Sequence, residues 1–354
     1  MIIASVHFLF LIFIVMLSLV MLLAVIVLIY NLIEYNKSVR TAGWSETINK
    51  KISDVIVYGE EELSEDIYFK ALSVNASFRN LFLQKLVDSE KKFSGAAKNR
   101  IQDLFKEYDL RKEAIKKLTQ KKAYLISRGI RELTVMEFQE AIPQIETYLS
   151  HSSPQVYQEA QYAMVRFKGF EGLSFLDHFP TRISEWQQLR FLLSISLLPE
   201  DSEEKIAEWL ESQNDTVIIF TLKLIKKFQL LSFYPKVIGL LSIASVEVRV
   251  KAVQTLMSLE NPETVEYLSG IYYDQPDEVR LEILKVIKIS KDQCCIDLLK
   301  KELAEEVPSG LKVNAAQALY SLGHGEYLSE LAEEEAAPEE LIQIIKYALQ
   351  EKIC

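Results

Sequence analysis

The sequence predicts an all-α protein: a single N-terminal transmembrane helix followed by an α-solenoid of helical hairpins. Three observations carry this. The stretch 244–259, ASVEVRVKAVQTLMSL, returns 63 residues later as PSGLKVNAAQALYSL, with Val248 answering Leu311, Arg249 Lys312, Ala252 Ala315, Gln254 Gln317 and Leu256 Leu319. An intermediate copy, DEVRLEILKVI, sets Val279, Arg280, Ile283 and Ile287 at the same phase, so the period is about 31 residues, the mark of stacked supersecondary units. At the other end of the chain, residues 2–33 contain no Asp, Glu, Lys or Arg.

Composition agrees with a helical chain. Of 354 residues 49% are hydrophobic, enough for a sizeable core, and 11 Gly and 9 Pro are few for a loop-rich β fold. Fifty acidic against forty basic residues give a formal net charge of -10, which argues against a general nucleic-acid binder. The three cysteines, Cys294, Cys295 and Cys354, spell no disulfide or zinc framework, and free thiols fit a reducing compartment.

Residues 1–34 are read as a retained membrane anchor, since about 20 apolar residues suffice to cross a bilayer. A cleaved signal peptide would need a basic n-region, a shorter apolar run and a small-residue cleavage site, none of which is present. Lys37, Arg40, Lys50 and Lys51 follow the span while no basic residue precedes it. The positive-inside rule then sets the C-terminal portion in the cytoplasm, on a single-pass protein of the cytoplasmic (inner) membrane. Tyr30, Tyr35, Lys37, Arg40 and Trp44 form the expected membrane-interface set, with packing in a juxtamembrane helix as the alternative for Trp44.

Residues 35–118 read as a helical connector. Ile48, Ile52, Val55 and Ile56 share one helix face, EEELSED (60–66) marks a loop and a new start, and 67–87 and the segment opening at Ile101, Leu104 and Phe105 form further amphipathic runs. Residues 85–131 hold fourteen Lys and Arg against six Asp and Glu. That excess fits either contact with anionic lipid or a solvated helix face.

Residues 119–354 carry the repeat. The phase of Val248 recurs at Leu125, Val156, Gln187, Val217, Val279, Leu311 and Leu341. Four residues on come Gly129, Ala160, Phe191, Thr221, Ala252, Ile283, Ala315 and Ile345, and eight on Leu133, Met164, Ile195, Ile225, Leu256, Ile287, Leu319 and Leu349. This is one apolar stripe on every second helix, with a shorter amphipathic helix between stripes. Pro143 and Pro235 precede Val156 and Val248 by the same interval, which predicts a recurring bend in the first helix of a pair.

The valine-Arg step and small residue of VEVRVKAVQTL and DEVRLEILKVI, with Pro143 and Pro235, resemble the HEAT family, in particular its short bacterial HEAT-like (PBS-lyase-type) repeats. The resemblance covers about two-thirds of the chain and departs at Gln187-Gln188 and Val217-Ile218. It implies an armadillo-like helical array whose second helices line a concave surface. The layout as a whole, with SEWQQLRFLLS and RGIREL, also resembles bacterial membrane proteins encoded beside glycosyltransferases.

No catalytic motif accompanies the repeats. The four His lie apart without metal-ligand spacing, Asp177-His178 are adjacent residues facing different ways, and no Walker loop, GxGxxG, GxSxG or HExxH occurs. Catalytic residues, metal ligands and cofactors are therefore expected to be absent. Cys294-Cys295 reads as packing within a first helix, and the acidic run 326–340 as the polar cap of the last repeat. Arg249, Arg280 and Lys312, with Gln254 and Gln317, are the candidate partner-binding residues, either a ladder gripping an acidic segment or inter-repeat pairing, as Asp277 one turn before Arg280 suggests. The expected function is a non-enzymatic membrane-tethered scaffold for a protein partner, first among them a glycosyltransferase or polysaccharide-export component. The alternative is an enzyme or ligand sensor using the concave groove or the basic connector.

Overall fold

The computed structural model describes residues 2–58, 67–243, 245–334 and 337–350. Among these the regular structure is helical throughout, nineteen α-helices and five 3₁₀ segments with no strand. The 60–66 loop, Ala244, residues 335 and 336 of the acidic run and Cys354 lie outside the described residues, as does the side chain of His7. The chain divides into two compact units, Met1–Phe167 and Lys168–Cys354.

The first unit opens with α1 (Ile2–Tyr58), a single helix of 57 residues. Its apolar side chains from Phe8 to Ile33 are exposed, and it is long and apolar enough to cross a membrane. The same helix then buries Ile48, Ile52 and Val55, spaced along one face, so one rod joins the apolar segment to a folded core.

That core is completed by α2 (Ile67–Leu72), α3 (Ala76–Glu90), α4 (Ala96–Glu107), α5 (Arg111–Leu118), α6 (Ala123–Val135), α7 (Ile142–Glu146) and α8 (Pro154–Lys168). The run expected over 67–87 is two helices. The Asn75 side chain accepts from Ser77 N at 2.9 Å and Phe78 N at 3.3 Å, restarting the chain as α3. Phe69 then packs edge-on against Phe78, Phe82 and Tyr108. Arg79 fixes the turn into α5, donating to Glu113 Oε1 at 2.9 Å and to the carbonyls of Tyr108 and Asp109.

Helices α5 and α6 pack on each other as a hairpin. Gly129, the smallest residue of the second stripe position, permits this approach. A Cβ there would stand 2.8 Å from the Ala114 carbonyl oxygen and 2.9 Å from Lys117 Cβ.

The second unit comprises α9 (Glu185–Ser194), α10 (Ser202–Leu210), α11 (Asp215–Phe228), α12 (Tyr234–Ile243), α13 (Val246–Ser258), α14 (Thr264–Gly270), α15 (Asp277–Ser290), α16 (Ile296–Ala304), α17 (Ser309–Ser321), α18 (Gly325–Glu333) and α19 (Glu339–Gln350). From α9 to α19 each odd-numbered helix packs on the next, and from α11 onward each also packs on the even-numbered helix before it. The stripe explains why. Every residue at its three positions is buried except Leu125 and Leu349, which are half-buried. Burial of one such aliphatic or aromatic side chain is worth roughly 1.5–3 kcal/mol.

A backbone feature recurs with the same period. Four residues beyond the third stripe position, Glu137, Gln229, Glu260, Lys291 and Gly323 all have positive φ. The next amide closes the turn onto the stripe residue itself: Phe138 N to Leu133 O, Leu230 N to Ile225 O and His324 N to Leu319 O, at 3.0 to 3.1 Å. This left-handed turn ends α6, α11, α13, α15 and α17 and aims the chain into the next first helix.

Pro143 and Pro235 do not bend a helix interior. Each sits in the first turn of its helix, α7 or α12, directly after a 3₁₀ segment (Gln139–Ala141 or Leu231–Phe233). A first-turn amide has no intrahelical acceptor, so proline costs nothing there and its fixed φ favours the start. Cys294 and Cys295 likewise lie in a 3₁₀ turn, Gln293–Cys295, ahead of α16 rather than within a long helix.

Candidate functional site

The face carrying the predicted partner-binding residues is built by α9, α11, α13, α15 and α17, whose polar side chains reach from helix to helix. Gln254 donates to Glu282 Oε1 at 2.9 Å and accepts from Lys251 at 2.6 Å. Gln317 is buried and accepts from Lys288 at 3.0 Å. Arg249 lies 3.5 Å from Gln275 Oε1, and Lys312 is half-buried. Arg249, Gln254 and Gln317 thus reach toward neighbouring repeats.

Arg280 is the most committed of the set. Its Nη2 donates to both oxygens of Glu302, at 2.7 and 2.8 Å, and its Nη1 to Asp277 Oδ1 at 3.3 Å. Glu302 is 0% exposed. The guanidinium also lies 4.8 Å from the ring centre of Tyr272 and 5.5 Å from that of Tyr273. Desolvation and the Glu302 charge push the buried Tyr272 phenol far above its ordinary range, and no hydrogen bond of regular geometry reaches its hydroxyl. The pairing alternative therefore describes Arg280, with Glu302 as its main partner and Asp277 as the lesser one.

The first unit holds a matching arrangement. Lys117 Nζ stands 2.5 Å from Glu132 Oε2 and Arg128 Nε 2.8 Å from Glu132 Oε1, with Glu132 1% exposed. Burial pulls the Lys117 ammonium below its ordinary pKa against the opposing pull of Glu132. Much of the basic excess of 85–131 is used internally. Lys98 pairs with Glu90 and Glu137, Arg111 and Lys112 with Asp109, and Arg100 donates to the Ile56 carbonyl at the end of α1. Lys91, Lys92, Lys116, Lys121 and Arg131 stay exposed.

Of the membrane-interface set, Tyr30 and Tyr35 are exposed and Lys37 lies 3.5 Å from Glu34. Trp44 takes the packing alternative. It meets Phe78 edge-on at 5.7 Å, with the Arg40 guanidinium over its ring at 5.0 Å.

Two open clefts are roomy enough to admit a small molecule. One, of about 550 Å³, is lined by Asp177, His178, Lys205, Glu208 and Trp209. Its carboxylate is not paired with the neighbouring imidazole: Asp177 Oδ1 accepts from Trp209 Nε1 at 2.8 Å and Oδ2 lies 3.4 Å from Lys205. The other, of about 770 Å³, lies between Phe105, Arg111, Phe138 and Glu140. Among the described residues no group of three or more His, Cys, Asp or Glu is placed to hold a metal ion.

Sequence reasoning missed a further surface on α9. Ser184 caps this helix in a reciprocal box with Gln187, so the departure from the repeat pattern at 187 is a helix start. Gln188 is buried, donating to Ile183 O and accepting from Lys223 at 2.7 Å. The opposite side of α9 presents Trp186, Leu189 and Leu193 to solvent, followed by Leu197. The spacing i, i+3, i+7 was present in SEWQQLRFLLS and could have shown it.

No family model matches the chain, and no curated protein matches it. Among solved structures it is similar to an engineered protein from a structural genomics consortium, at 14% identity over 78% of this chain and 85% of that one, with a TM-score of 0.36. Human deoxyhypusine hydroxylase in complex with glycerol matches at 13% identity over 88% and 98% of the two chains, with a TM-score of 0.28. A second engineered protein matches at 11% identity over 78% and 91%, with a TM-score of 0.23. Likenesses this distant assign neither fold nor activity to the chain.

Proposed function

We propose that the protein is a non-enzymatic, membrane-tethered adaptor, an α-solenoid of HEAT-like hairpins that holds a partner protein at the membrane surface. The observation that carries this reading is α1. One helix presents an uncharged apolar segment through Ile33 and enters the core of the first unit at Ile48. Fifteen residues of helix set that core ~22 Å beyond the apolar segment, on a rod and not on a flexible linker. The repeated stripe and the periodic left-handed closures support the solenoid, whose units meet only their neighbours and so display a long surface for a partner. Confinement to the membrane raises the effective concentration of that surface toward membrane-bound partners. By the resemblance noted above, a glycosyltransferase or polysaccharide-export component is the first partner to look for.

Lys37, Arg40, Lys50 and Lys51 support a cytoplasmic position for both units. The test is alkaline extraction of membranes combined with labelling of the exposed Cys294 in intact cells by a membrane-impermeant maleimide. The full chain is expected to stay in the membrane fraction and Cys294 to label only after permeabilisation. Release at alkaline pH, or labelling in intact cells, overturns the anchor or the orientation respectively.

A further inference from the structure

We infer that Cys294 and Cys295, side by side in the 3₁₀ turn that leads into α16, form a two-sulfur binding site for a thiophilic trivalent centre of the organic arsenic(III) class. The site stands apart from the adaptor reading and does not depend on it. Both cysteines are free, Cys294 exposed and Cys295 buried, and their Sγ atoms stand 3.3 Å apart. The turn that sets this spacing is held from two sides. Asp292 Oδ1 accepts from Cys294 N at 3.0 Å. Gln293 reaches the turn after α17, donating to Leu322 O at 3.1 Å with its Oε1 3.3 Å from His324 Nε2. Two thiols presented on an ordered backbone need little reorganisation to bind one atom.

The spacing selects the ligand. Consecutive Cα atoms lie about 3.8 Å apart across a trans peptide, short of the ~4.4–6.8 Å that disulfides usually span, so direct oxidation of the pair would store strain and be readily reversed. Structural zinc takes four ligands. Among the described residues no group of three or more His, Cys, Asp or Glu is placed to hold a metal ion. A linear two-coordinate ion keeps its sulfurs on opposite sides, roughly 4.6 Å apart for bonds of the ~2.3 Å typical of zinc and sulfur. A pyramidal trivalent centre with bonds of that length and angles near 90° brings its two sulfurs to about 3.3 Å, the separation of this pair.

The two thiols divide the work. Burial pushes both thiols up, Cys295 to about 12, so both keep their protons at neutral pH and neither is activated toward oxidants. Condensation with an arsenoxide suits protonated thiols. Two S–H bonds and the arsenic–oxygen bonding are lost, two arsenic–sulfur bonds form, and the oxygen leaves as one water carrying both protons. Arsenic stays trivalent, so no oxidant or reductant is needed. The exposed Cys294 captures the centre, and Cys295 closes the ring behind it.

The test treats the full chain, purified in gentle detergent and carrying Cys354→Ser so that this pair holds its only thiols, with one equivalent of phenylarsine oxide. Intact-mass spectrometry should show a single adduct formed with loss of water. The adduct should survive a large excess of the monothiol mercaptoethanol and be released by ethanedithiol. Because the second thiol acts at a high effective concentration, Cys294→Ser should lower the fraction that survives the monothiol at least ~tenfold. That variant alters only an exposed side chain, so it decides the matter even if Cys295→Ser disturbs the buried position. The adduct should also raise the urea midpoint, since a preformed site binds the native chain more tightly than the unfolded one. Absence of an adduct, or one that the monothiol strips from the intact pair as readily as from Cys294→Ser, overturns the two-sulfur site. An adduct that forms only in urea, or that lowers the urea midpoint, overturns it too, because the pair would then bind only once the turn has opened.

Discussion

The guanidinium of Arg280 holds both carboxylate oxygens of Glu302, at 2.7 and 2.8 Å, against the ring of Tyr272. The pair joins α15 to α16 where the sequence alone left open a surface ladder. Removing one partner of a buried pair strands the other charge, at a cost of about 3–5 kcal/mol, whereas replacing both by apolar residues is often close to neutral. Arg280→Met should therefore lower the urea midpoint sharply, and Arg280→Met with Glu302→Leu should recover most of the loss. A single variant as stable as wild type would return Arg280 to the exposed surface.

Gly129 is the tightest point of the α5–α6 hairpin. Its substitution by Ala drives a methyl group into the Ala114 carbonyl oxygen and Lys117 Cβ, so the helices must separate. Overpacking of this kind costs typically 1–3 kcal/mol. Thermal unfolding of Gly129→Ala measures it, and an unchanged midpoint would show that the hairpin is looser than described.

Much of the fold was legible because its determinants are periodic. The stripe through Val248, Ala252 and Leu256 recurs at a fixed interval, and burial follows it in nearly every copy. What the sequence concealed depends on single side chains acting at a distance. Arg280 looked like a member of a basic ladder because Glu302, its main partner, lies 22 residues away in the next helix. Gln254 and Gln317 looked like surface residues because the ends of their hydrogen bonds, Glu282 and Lys288, belong to a neighbouring repeat. The split of the run 67–87 turns on one cap, Asn75.

The left-handed closures were hidden for a different reason. Glycine marks only Gly323 in the set, and Glu137, Gln229, Glu260 and Lys291 adopt positive φ with a side chain present. Such a conformation costs a non-glycine residue roughly 1–2 kcal/mol. Lys291 is exposed, so Lys291→Gly should stabilise the chain by up to ~1 kcal/mol, the gain being offset by glycine's larger unfolded-state entropy. Lys291→Val should destabilise it by ~1–2 kcal/mol, since a branched Cβ fits this region worst. Equal chemical-denaturation midpoints for the two variants would refute the strained closure.

Burial, then the adjacent Cys294 thiol, pushes the Cys295 thiol from its ordinary 9.0 up to about 12. Between those values the unfolded chain has lost a proton that the native chain keeps, so native stability falls as pH rises. The stability advantage of wild type over Cys295→Ala should therefore shrink between pH 9 and pH 12. A difference constant across that range would mean that the thiol ionises freely in the folded chain.

The adaptor reading is tested most directly by recovering the tagged full chain from membranes in gentle detergent and identifying by mass spectrometry what accompanies it. A chain ending at residue 44, which stops before the buried Ile48, Ile52 and Val55 of α1, serves as the control. The prediction is a stoichiometric protein partner that follows the full chain and is missing from the control. A full chain that emerges alone, under mild detergent and after crosslinking alike, would contradict it.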